Sequence, residues 1–77
     1  MEIVSLVGTL SSNRNMHLHI SLSDHTGAVI GGHLPSFGGT IIHTTAEIVI
    51  GSLTNKNFAR KMDSKTGFPE LHVSDTT

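Results

Sequence analysis

From Met16 to Leu34 the chain reads MHLHISLSDHTGAVIGGHL, and this stretch leaves room for little except a β-hairpin. Successive side chains of a strand point to opposite faces. Leu18, Ile20 and Leu22 therefore fall on one face, and His17 and His19 on the other. Ser23, Asp24, His25, Thr26 and Gly27 form a cluster of turn residues. The run from Ala28 to Leu34 then returns antiparallel and carries His33 back towards the His-x-His pair. Gly31 and Gly32 beside it let backbone or ligand approach closely.

Size sets the next constraint. Seventy-seven residues allow one domain, residues 1–77. A chain this short buries only about 60% of the surface its unfolded form exposes, so its own core is marginal. There is no cysteine, hence no disulfide and no thiolate ligand. That suits a reducing, intracellular setting, cytoplasmic or nuclear. Hydrophobic content of 36% and charged content of 14% are a globular balance. A formal net charge of −1 is a poor footprint for gripping a phosphate backbone unaided. No apolar run approaches the ~20 residues of a membrane helix, so no membrane partner is expected. Without Trp or Tyr, base stacking is left to Phe37, Phe58 and Phe68.

The remaining segments extend the β pattern. Glu2 to Leu10 is rich in β-branched residues, with Val4, Leu6 and Leu10 predicted on one face and Ile3, Val7, Ser5 and Thr9 on the other. Ser11 to Asn15 is a polar hairpin loop. Pro35 ends the third strand, and Ser36 to Gly39 form a loop. Thr40 to Leu53, TIIHTTAEIVIGSL, is the longest apolar stretch, and its isoleucine, valine and threonine content predicts a strand. Two short strands follow, Phe58–Met62 and Glu70–Val73, around a turn at Asp63–Gly67. Ser74 to Thr77 reads as a frayed tail. The expected fold is mainly β: a twisted antiparallel sheet of five to six strands with little or no helix.

Spacing leaves two readings of His17, His19 and His33. They are either a set of neutral imidazoles around a divalent metal with an open fourth position, or a surface pair with His33 bonded to a turn carbonyl. His25, His43 and His72 have weaker claims. Glu47, the only carboxylate within the apolar run, is the weak catalytic candidate: a partner for a histidine or a base beside a metal-bound water. Its alternative is a solvent-facing or intersubunit carboxylate. Lys56, Arg60, Lys61 and Lys65 hold four of the five basic residues within ten positions. They form either a small phosphate-contacting patch or a solvated hairpin. No nucleophile elbow is present, and Gly31-Gly32 is too short to cradle a phosphate.

Four blocks, EIVSLVGTL, HLHISLSDHTGAVIGGHL, TTAEIVIG and FARKMDSKTGFPEL, occur in this order. Together they resemble the PPC domain (plants and prokaryotes conserved), from Glu2 to about Val73. The HLH and GGH histidines resemble its stand-alone prokaryotic form, described as DNA-binding; the plant form occurs in AT-hook nuclear proteins. The resemblance implies an α+β domain in which a strand, a helix and further strands precede the block at Glu2–Leu10. This chain is similar to the C-terminal two-thirds, a mainly β remnant. It further implies a homotrimer and a metal site, zinc foremost, at His17, His19 and His33. The Arg-Gly-Arg-Pro core of an AT-hook does not occur in this sequence, so that minor-groove contact is not carried over. The expected function is a small oligomeric binding module with a bound metal, serving regulation, protein partners or DNA. A metal-dependent hydrolase using the three histidines with Glu47 as base stands second, and a direct DNA-binding protein third.

Overall fold

The structure is a computed structural model that describes residues 1–12, 15–35 and 40–76. Five strands follow in chain order: β1 (Glu2–Ser11), β2 (Asn15–Ser23), β3 (Val29–Leu34), β4 (Lys56–Met62) and β5 (Pro69–Asp75). There is no α-helix among the described residues. The fold is mainly β and antiparallel, as expected, but the strands divide into two sheets. One holds three strands in the order β1-β2-β3; the other is the β4-β5 hairpin.

Register in the larger sheet follows hairpin arithmetic. His19 pairs with His33, Ser21 with Gly31 and Ser23 with Val29, about a turn centred near Thr26. Asp24 closes that turn. Its Oδ1 accepts from the Thr26 N–H at 2.8 Å, the Thr26 hydroxyl at 2.6 Å and the Ala28 N–H at 3.1 Å. Those bonds, the Thr26 hydroxyl first, hold the Asp24 carboxyl below its ordinary value. Gly27 supplies the positive φ of 87° that the turn needs. Asp63 and Gly67 repeat the design at the other hairpin: Asp63 Oδ1 accepts from Lys65 N–H, and Gly67 has φ 75°.

β1 departs from simple alternation. A bulge between Ile3 and Ser5 shifts its register on β2. Ile3 pairs with Leu22 and thus joins the face of Leu6 and Leu10, not the face of Val7 as alternation predicts. Beyond the bulge, Ser5 faces Ser21, Val7 faces His19 and Thr9 faces His17. One face of the sheet therefore carries the imidazoles and hydroxyls together with Val7 and Val29, and the other is apolar.

Three expectations need correction or fall outside view. Thr40–Leu53 is not a strand: none of its residues joins a ladder, and all are exposed. Its composition favours extended backbone, but a strand also needs a ladder, and this segment adds to none of the open edges of the two sheets. The C-terminal strand runs further than predicted, through Asp75, where Lys56 pairs with the Asp75 carboxylate and Thr76 N–H donates to Asn55 C=O at 3.3 Å. The predicted loop at Ser36–Gly39, with Phe37 as a stacking candidate, lies outside the described residues, as do Asn13, Arg14 and Thr77.

No described residue is fully buried: Leu6, Leu18, Ile20 and Leu22 on the apolar face are half-buried, while Ile3, Leu10 and Ile30 on that face, Val7 and Val29 on the histidine face, and the hydrophobic residues of 40–53 are exposed. A cleft lies between the apolar face and residues 40–53, lined by Leu6, Leu18, Ile48, Ile50 and Phe58. The radius of gyration is 15.1 Å, against about 11–12 Å for a compact chain of this length.

Candidate metal centre

β2 and β3 place the three histidines. His17 and His19 are two apart on β2, so both project to one face, and His33 lies directly across from His19 on β3. Their ring centroids form a nearly regular triangle with sides of 5.3, 5.4 and 5.4 Å. One nitrogen from each ring lies within 4.8 Å of the others, and all three residues are exposed. His17 Nε2 and His19 Nε2 are 3.2 Å apart. Two imidazole nitrogens at that distance share either a proton or a cation.

The donor set fits a divalent ion. Zn–N bonds of 2.0–2.1 Å at tetrahedral angles put two ligating nitrogens roughly 3.3 Å apart, close to the separation of the His17 and His19 nitrogens. Three imidazoles with no carboxylate or thiolate suit zinc, copper or nickel better than magnesium or calcium. On this exposed sheet face, an ion held by the three nitrogens would keep a further coordination position for water or a ligand, the pattern of an open site rather than a sealed structural one.

Neighbours of the triad fix its shape. Gly8 sits opposite Leu18, and a Cβ there would stand 1.9 Å from the His17 carbonyl oxygen. Only glycine lets β1 lie this close to β2 at His17. Ser5 and Ser21 share a hydroxyl–hydroxyl hydrogen bond of 2.6 Å on the histidine face. Arg60, from β4, donates its Nη2–H to Thr9 Oγ1 at 3.0 Å, and Thr9 is the register partner of His17. Sequence reading passed over Gly8 and Thr9 and placed Arg60 in a different patch. The hairpin spacing of Thr9 and His17 about the polar loop was the available signal.

The other candidates do not gather here. Glu47 lies on the exposed segment 40–53 and is not a member of the cluster. His25 is in the β2–β3 turn, His43 in a bend and His72 on β5. The four basic residues separate. Lys56 and Arg60 alternate with Lys61 along β4, so Lys61 faces the other way, opposite Glu70. Lys56 pairs with Asp75, and Lys65 sits in the following turn.

Fold and cluster together define a class: an antiparallel β module that presents three imidazoles on one sheet face. The chain belongs to the Plants and Prokaryotes Conserved (PCC) domain family, whose model matches residues 1–54. Two relatives, both called bifunctional protein GlmU and both from Synechococcus strains, are 41% identical over 73 residues. They cover 95% of this chain but only 11% of those proteins. A solved structure of a hypothetical protein from Salmonella cholerae-suis superposes with a TM-score of 0.88 at 39% identity. It covers 97% of this chain, which in turn spans 52% of the Salmonella chain.

Proposed function

We propose that the chain is a small PCC-type binding module that holds one divalent metal ion, zinc foremost, at His17, His19 and His33, and that it works as a homo-oligomer, a trimer by family resemblance. The observation that carries the metal reading is the regular imidazole triangle with its 3.2 Å nitrogen pair. A bound ion there supplies Lewis acidity and an exchangeable position. The protein's part is to hold the rings in register through β2 and β3 and to fix their neighbours through Gly8 and Thr9.

Surface area supports the oligomer. The chain exposes 6561 Å², whereas a compact monomer of its mass exposes about 4,500 Å². The excess, roughly 2,000 Å² on one chain, is more than the ~800 Å² that each partner buries in a standard interface and is on the scale of the larger obligate ones. The open apolar residues supply the matching chemistry. A regulatory or DNA-associated role follows from the family resemblance alone. The dispersed basic residues favour recruitment through protein partners over a direct grip on DNA. Hydrolysis with Glu47 as base loses ground, because that carboxylate stands outside the cluster.

Elemental analysis of protein purified without chelators tests the metal reading. Wild type should carry close to one equivalent per chain, and His17→Ala should carry little. Wild type free of metal would remove the site.

A further inference from the structure

Arg60 presents a problem that the metal reading turns into a prediction. A guanidinium is charged at every accessible pH, and this one is half-buried and held by Thr9. Thr9 and His17 stand directly opposite on β1 and β2, with Cβ atoms about 5 Å apart in such pairs. A permanent cation is thus fixed at the border of a site that would itself hold a divalent cation. Two positive centres so placed repel unless an anion lies between them. The carboxylates of the chain do not provide it: among the described residues none joins the histidine cluster, and the ion pair formed is Lys56 with Asp75, not one to Arg60. Thr9 takes one of the five N–H donors that a guanidinium carries in a planar fork.

Resting on the metal reading, we propose that His17, His19, His33 and Arg60 form a composite site for a small oxyanion, a carboxylate or phosphate group, one oxygen taking the open metal position and another accepting from the Arg60 fork. Metal–oxygen bonds of 2.0–2.2 Å and charge-assisted N–H···O bonds of 2.7–2.9 Å let such a group bridge centres up to roughly 6 Å apart. Thr9 is a positioning residue: its hydroxyl aims the guanidinium. Gly31 opposite Ser21 keeps the same sheet face low beside His33, leaving room for the rest of the ligand.

Cobalt(II)-loaded protein gives a readout independent of any activity, because the ligand-field bands respond to what fills the open position. Metal content and bands are recorded first; acetate and inorganic phosphate are then titrated separately into wild type, Arg60→Ala, Arg60→Lys and Thr9→Val. At least one anion should shift the wild-type bands. Its affinity should fall about tenfold to hundredfold in Arg60→Ala, the range of a lost charge-assisted bond. It should fall less in Arg60→Lys, which keeps charge without the fork, and in Thr9→Val, which keeps the guanidinium without its anchor. Which anion binds tighter tells carboxylate from phosphate. Cobalt bound with bands indifferent to both anions, or equal affinity in wild type and Arg60→Lys and Thr9→Val, would overturn the composite site and leave the metal reading standing. Failure to load cobalt in wild type would instead sink both.

Discussion

At the scale of single residues, Gly8 is the most constrained position in the sheet. A side chain there meets backbone, the His17 carbonyl, rather than the end of a side chain that could swing aside. Gly8→Ala should therefore cost about 1–3 kcal/mol, the range for overpacking, and push β2 away from β1 beside the triad. The expected result is a lower melting midpoint by circular dichroism together with weaker metal binding, while Gly32→Ala, with open space around its Cβ, should leave the midpoint nearly unchanged. Equal effects of the two substitutions would refute the close approach. The histidines were legible in the sequence because hairpin arithmetic is simple: His19 and His33 lie equidistant from Thr26. Gly8 was not, since nothing in the local pattern tells a glycine required by a neighbour from one that merely tolerates it.

At the scale of elements, turns and ladders carry different parts of the stability. Asp24 ties three donors into the β2–β3 turn and has its carboxyl held below the ordinary value of 3.8. A carboxyl whose folded pKa is depressed contributes stability above its unfolded pKa, and that contribution fades as pH falls through the folded value. Urea midpoints should thus drop below about pH 3.8 in wild type, and less steeply in Asp24→Asn, which has no charge to lose. Identical acid dependence in the two proteins would count against the turn as the acid-sensitive element. Both turns could be read in advance, because Asp and Gly sit where their chemistry is needed. The bulge at Ile3–Ser5 could not: it changes which face Ile3 occupies while leaving every residue a good strand former. The segment 40–53 shows the same limit, since composition reports a preference for extended backbone and pairing depends on a partner. The arrangement of the basic residues was not legible for a third reason: neighbours in sequence alternate across a strand, so Lys61 faces away from Lys56 and Arg60.

At the scale of the whole molecule, the two sheets expose more surface than a chain of this mass can keep open and remain compact. If copies cover one another, folding is coupled to association, and the melting midpoint must rise with protein concentration. The chain has no Trp or Tyr, so circular dichroism is the appropriate probe. A midpoint that stays constant from 1 to 100 μM (roughly 2.7 kcal/mol of mass action) would show that copies do not stabilise each other.

The open stretch at residues 40–53 has a consequence for the life of the protein in a cell. Val49 is 99% exposed and Ile41 86%, and neither belongs to a ladder. Proteases bind substrates as extended backbone, so this segment offers a ready cleavage site, one that the proposed homo-oligomer would conceal. Adding a protease to the same dilution series should release fragments cut between residues 40 and 55 chiefly at low concentration. Abundance would then be set by turnover of unassembled chains, with the exposed segment 40–53 acting as a degradation tag.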